Sequence, residues 1–84
     1  MKNRSRLEIV AAILETARRG AAKTRVMYTA FISFSQAQEY LSLLTDKGLI
    51  EYDREQKKYM TTAAGLEFLK ICSKMNEMFD SDVL

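Results

Sequence analysis

The stretch Lys47-Gly48-Leu49-Ile50-Glu51-Tyr52-Asp53-Arg54-Glu55-Gln56-Lys57-Lys58-Tyr59-Met60-Thr61 decides the fold, because the residue pattern changes period within it. Up to Lys47 the apolar side chains recur at helical spacing. From Leu49 to Asp53, and again from Lys58 to Thr61, the pattern is strand-like, and the polar run Arg54-Glu55-Gln56-Lys57 between them is turn-like. These residues predict a β-hairpin that follows a helix closed by Gly48.

Toward the amino terminus, Ser33 and Gln36 have the spacing of a capping box, in which side chain and backbone at a helix start satisfy each other. They open a helix from Phe34 to Lys47. Ala37, Tyr40, Leu41 and Leu44 fall on its inner face, and Ser35, Glu39, Ser42, Leu43 and Asp46 fall outside. A shorter helix is expected from Arg25 to about Ala30, with Thr24 as its N-cap. The first helix runs from about Ser5 to Arg19, with a Ser5/Glu8 capping box and Gly20 as its stop. Its apolar residues form two stripes, Leu7-Val10-Ala11-Leu14-Ala17 and Ile9-Ile13, so it must be covered on both sides.

Beyond the hairpin, Thr61 or Thr62 caps a last helix over about residues 63–79, about 25 Å long at ~1.5 Å per residue. Leu66 and Leu69 occupy one side of it. Phe68, Ile71, Cys72, Met75, Met78 and Phe79 occupy the other, and Phe68, Cys72, Met75 and Phe79 follow the rhythm of a coiled-coil seam. Little chain remains to cover these residues, and leaving each one wet forfeits about 1.5–3 kcal/mol. A second copy of the helix is the natural cover, in a two-fold dimer to which Ile9 and Ile13 also contribute. The expected organisation is thus residues 1–62 as one compact unit and residues 63–84 as a dimerisation helix with a short tail.

Composition narrows the function. The chain has 84 residues, 48% hydrophobic and 29% charged, room for one domain with a marginal core. It has no histidine and a single cysteine, which excludes an intrachain disulfide, a four-ligand zinc site and histidine-based acid–base chemistry. Nothing pairs the tyrosines, the cysteine or the carboxylates into a nucleophile–base arrangement, and no glycine-rich phosphate loop is present. An enzyme, a cofactor and a small-molecule substrate are therefore not expected. One unpaired cysteine fits a reducing compartment. Glu8 and Glu15 interrupt the first apolar run, so neither a signal peptide nor a membrane span is expected. The net charge of +2 is unevenly spread, with +5 in residues 1–25, −1 in 26–64 and −2 in 65–84, so one end suits a polyanion.

The order helix, short helix, helix, hairpin is that of a winged helix-turn-helix: a mostly helical α+β fold of three helices and a β-hairpin wing, here with an added C-terminal helix. Several segments resemble the archaeal winged helix-turn-helix family, which includes small dimeric chromatin-type DNA-binding proteins. They are Arg4-Ser5-Arg6-Leu7-Glu8-Ile9-Val10, Gly20-Ala21-Ala22-Lys23-Thr24-Arg25-Val26-Met27-Tyr28, Tyr40-Leu41-Ser42-Leu43-Leu44, Lys47-Gly48-Leu49-Ile50 and Tyr59-Met60-Thr61-Thr62-Ala63-Ala64-Gly65. The resemblance spans residues 4 to about 75. It implies a cytoplasmic, nucleoid-associated homodimer that binds double-stranded DNA, as transcription regulator or chromatin-type protein, without enzymatic activity.

By that resemblance Ser33, Ser35, Gln36, Gln38, Glu39 and Ser42 would enter the major groove, where glutamine can read adenine bidentately. Thr24, Arg25 and Tyr28 would meet the backbone, Arg54, Lys57 and Lys58 would form the wing contact, and Lys2, Arg4 and Arg6 a basic arm. The third helix departs from the usual pattern. Its outer face carries Glu39 and Asp46 but no Arg or Lys, so the commonest guanine contact is missing from it. The alternative reading, a winged helix used as a protein-interaction module, suits Glu39, Leu43 and Asp46 better.

Overall fold

The computed structural model describes the backbone of residues 5–83 and the side chains of residues 5–75. The hairpin forms where the change of period predicts it. Strand β1 (Ile50–Asp53) runs antiparallel to β2 (Lys58–Thr61), with Ile50 opposite Thr61 and Tyr52 opposite Tyr59. The two tyrosine rings lie 4.7 Å apart, a cross-strand pair that adds to the ladder. Asp53 closes the turn by accepting, on Oδ1, the backbone N–H groups of Glu55 (2.9 Å) and Gln56 (3.2 Å). On its other edge β2 gains a partner: Ala21 and Tyr59 exchange backbone hydrogen bonds of 2.9 and 2.8 Å.

Among the described residues, four α-helices pack around this hairpin: α1 (Arg6–Thr16), α2 (Lys23–Ala30), α3 (Phe34–Asp46) and α4 (Ala63–Val83). Helix α1 starts with the expected capping box, Ser5 N–H donating to Glu8 Oε1 (2.9 Å) and Glu8 N–H to Ser5 Oγ (3.1 Å). It tightens into a 3₁₀ turn over Ala17–Arg19 before Gly20, whose φ of 93° needs a residue without a Cβ. Helix α2 corrects one expectation: its N-cap is Ala22, which makes no side-chain cap, and Thr24 lies inside the first turn. The Ala21–Tyr59 pairing holds the chain extended through Ala22, so the helix can start as soon as that pairing ends. It stops at Phe31, which adopts the left-handed conformation (φ 57°, ψ 51°). The second capping box opens α3, with Gln36 N–H donating to Ser33 Oγ (3.1 Å) and Ser33 N–H to Gln36 Oε1 (3.0 Å).

The core gathers Ile13, Leu14 and Ala17 of the first helical segment, Ala21, Val26 and Ala30, Leu41 and Leu44 of α3, and Ile50 of β1. Helices α2 and α4 each pack against α1, which covers Ile13 of one stripe and Leu14 and Ala17 of the other but leaves Leu7, expected inside, 41% exposed. Phe68 and Leu69 of α4 lie on this core, and Cys72 is 4% exposed. The first half of α4 is thus built into the same core as the hairpin and α1–α3.

Two threonines tie that helix down. Thr61 Oγ1 donates to the Leu14 carbonyl (2.7 Å), joining β2 to α1. Thr62 caps α4 by accepting Gly65 N–H (3.1 Å), while its own hydroxyl donates to the Gly48 carbonyl (2.7 Å). Three expectations for the apolar residues are corrected by this packing. Ile13 and Cys72, expected between subunits, are buried within the single chain, where α2 and α4 both pack against α1. Leu66, expected inside, is 41% exposed. Gly65 lies close against Leu49 and Thr61, and residues 65, 68, 69 and 72 share the inward side of α4.

Candidate nucleic-acid interface

The exposed face of α3 carries an open groove of about 520 Å³ lined by Phe34, Ser35, Gln38, Glu39 and Ser42. Three of the residues expected at a DNA groove, Ser35, Gln38 and Ser42, are therefore brought together. Gln36 is exposed, but its carboxamide oxygen is held by the Ser33 backbone. Ser33 is committed to the same cap. On α2, Thr24, Arg25 and Tyr28 are all solvent-facing, Tyr28 with 78% exposure.

A residue absent from the expected set reaches onto this face. Lys23 Nζ donates to Gln38 Oε1 (3.2 Å) and sits 4.4 Å from the centre of the Phe34 ring, a cation–π contact. The first residue of α2 thereby carries an ammonium group onto the outer face of α3, which has no Arg or Lys of its own there. The partners are 15 positions apart, so no local spacing announces the pairing. Phe31, in the turn between α2 and α3, is 84% exposed and was likewise not marked out by periodicity.

The wing supplies further cations. Arg54, Lys57 and Lys58 are exposed. Lys57 holds a left-handed conformation (φ 56°) at the end of the turn closed by Asp53. The stem of Lys58 lies beside Gly20, within 3.4 Å of the place a Cβ there would occupy, so this lysine stands at the base of the wing. Arg18 is engaged by Glu15 (3.2 Å) on the exposed surface, an ion pair of small energetic weight. From Thr16 through Gln38 the chain has no Asp or Glu but carries Arg18, Arg19, Lys23 and Arg25. The amino-terminal end of α3, positive through its helix dipole, lies within that acid-free segment. Arg6 is exposed at the start of α1, whereas Lys2 and Arg4 lie outside the described residues.

The turn-linked pair α2–α3, followed by the hairpin, has the geometry of a helix-turn-helix with a wing, and the family model described as winged helix-turn-helix matches residues 3–80. The chain belongs to the winged helix-turn-helix family. This winged helix-turn-helix chain is similar over 93% of its length to Sso10a-2, a DNA-binding protein from Sulfolobus solfataricus, covering 84% of that protein with a TM-score of 0.84 and 26% identity. No curated protein sequence matches it. No helix among the described residues is long and apolar enough to cross a membrane.

On α4, Ile71 (55%) and Met75 (41%) are exposed on the flank that Phe68 shares with the core. Ile9 is half-buried on α1. Met78 and Phe79 lie outside the residues whose side chains are described.

Proposed function

We propose that the chain binds duplex DNA as a homodimer, with α3 facing the major groove and the wing cations on phosphates. The observation that carries this reading is the half-buried Lys23 held over the exposed face of α3 by Gln38 and Phe34, together with the exposed cations Arg25 of α2 and Arg54, Lys57 and Lys58 of the wing. Its membership of the family and its similarity to a DNA-binding protein support the same reading. Pairing of α4 with its copy would cover Ile71 and Met75 and present two reading faces, so that the second binding event becomes intramolecular. The role is non-enzymatic, as regulator or as DNA-coating chromatin protein.

A salt series of electrophoretic shifts on random and candidate-operator duplexes tests this. If about five phosphates are neutralised per subunit, log K falls with log salt at a slope of about −4 to −5 for each subunit bound. Equal affinity for all duplexes marks a coating protein, and a large preference for one marks a regulator. Absence of binding at low salt refutes the proposal. The proposed seam is tested by sedimentation of the wild type against the double variant Ile71→Lys/Met75→Lys, expected as dimer and monomer respectively. A wild-type monomer at high concentration removes the dimer. The exposed Phe31 and Leu43 favour, as a second reading, a protein partner on this face. Stoichiometric capture of one protein without retention of DNA selects it.

A further inference from the structure

The α3 groove holds an arrangement whose hydrogen-bonding character is set by Lys23. A lysine ammonium has three donors and no acceptor, so the atom it meets on Gln38 must be the carboxamide oxygen, and the 3.2 Å contact is to Oε1. That leaves Gln38 presenting its NH₂ group and Lys23 its remaining N–H bonds. Reading adenine bidentately requires a glutamine to offer both its oxygen and its nitrogen, and here one of the oxygen's two lone pairs is engaged by an ammonium that stands beside it as a further donor. Gln36 is held back in the helix cap, its oxygen accepting the Ser33 N–H. Beside this donor pair, Glu39 lines the same groove as a pure acceptor.

We infer that Lys23, Gln38 and Glu39 together select a G·C pair over an A·T pair, with Lys23 and Gln38 donating to guanine O6 and N7 and Glu39 accepting from cytosine N4. In the major groove guanine offers two acceptors and cytosine one donor, which is the complement of this set. Adenine places a donor, N6–H₂, where this site has donors already, and thymine gives Glu39 only an acceptor and a methyl group. Glu39, unfavourable near phosphates, thereby has a place at a base edge. Phe34 is a positioning residue: its ring lies 4.4 Å from the ammonium and holds the lysine over α3. This inference rests on the proposed docking of α3 in the major groove.

The test is selection from a random duplex library by the full chain, sequenced for base preference, with wild type, Lys23→Met, Lys23→Arg and Phe34→Leu compared. Wild type should enrich guanine over adenine by about tenfold at one position, the size of a good bidentate contact. Lys23→Met keeps the stem, removes the ammonium and frees the Gln38 oxygen, so the preference should fall to parity or pass to adenine. Lys23→Arg, also donor-only, should keep guanine, and Phe34→Leu should weaken the preference. A merely structural role for Lys23 would lower affinity for every sequence without changing the favoured base. Binding of random duplex by wild type without a G·C preference, or an unchanged preference in Lys23→Met, overturns the inference while leaving DNA binding intact. Failure of wild type to retain any duplex overturns both.

Discussion

Replacing Gly65 with alanine should destabilise the fold although alanine is the better helix former. A Cβ at this position would fall inside the van der Waals envelope of the Leu49 carbonyl oxygen and 2.5 Å from Thr61 Cγ2. Ordinary carbon–carbon contacts lie at ~3.5–4.0 Å, so the two segments must part by about 1 Å. The Leu49 carbonyl is also the acceptor for Thr62 N–H (3.1 Å), and that bond loosens when they part. Overpacking of this kind costs about 1–3 kcal/mol, and the hydrogen bond about 1 kcal/mol more. The gain in helix propensity returns about 1 kcal/mol. The expected net loss is about 2 kcal/mol, a fall in Tm of about 8–16 °C for a domain of this size. Urea and thermal unfolding followed by circular dichroism measure it, with Ala64→Gly at the exposed neighbouring position as the pure propensity control. If Gly65→Ala unfolds at or above the wild-type temperature, the close approach of α4 to the Gly48–Leu49 segment is not what requires glycine here.

Three further outcomes follow from particular residues. Phe31→Gly relieves a left-handed backbone that costs a side-chain-bearing residue about 1–2 kcal/mol, and little burial is lost at 84% exposure. After about 0.4–1 kcal/mol for the freer unfolded chain, Tm should rise by a few degrees, and a fall in thermal melting would contradict the strain. Lys57→Asn keeps a residue that tolerates φ 56°, so stability should hold while the slope of log K against log salt shrinks by about 1 per subunit. An unchanged slope would place Lys57 away from the phosphates. Burial raises the Cys72 thiol above its ordinary value, so alkylation near pH 8 should be several-fold slower in the native chain than in urea. Because the folded state favours the protonated thiol, this contribution to stability is full below the ordinary thiol range and is lost as pH rises beyond it, which unfolding at pH 7 and pH 10 checks.

The parts of the fold legible in the sequence are those governed by neighbours in the chain. The Ser5/Glu8 and Ser33/Gln36 capping boxes, the stops at Gly20 and Gly48, and the hairpin with its turn at residues 54–57 all depend on residues a few positions apart. What was not legible depends on which elements meet. Ile13 looked spare because helical spacing shows that two faces are apolar but not which element covers each, and here the chain's own packing buries it completely. Thr24 looked like a cap because the Ala21–Tyr59 pairing, 38 positions apart in sequence, was invisible to local pattern. For the candidate site the sequence marked out the exposed residues of α3 and the wing, whereas the cation on α3 is borrowed from α2 through Lys23–Gln38.

The attachment of α4 links the proposed dimer to the proposed reading face. Thr61 ties β2 to the α1 carbonyl of Leu14, and Thr62 bonds to both Gly48, just after α3, and Leu49, at the entrance to β1. The direction in which α4 leaves the core is therefore set by the elements that hold α3 and the wing. Under a two-fold pairing of α4, that direction fixes how far apart and at what angle the two α3 helices stand, which is the geometry a pair of half-sites must match. Loosening the junction should then weaken binding to paired sites more than to a single site, although Thr61, Thr62 and Gly65 are not among the proposed DNA contacts. A salt-bridge partner lost from the wing would have the other signature, a uniform loss on both kinds of site. Comparing Thr62→Val with Lys57→Asn on duplexes carrying one or two selected sites separates the two effects. Equal losses on both duplexes in Thr62→Val would show that α4 does not set the spacing of the reading faces.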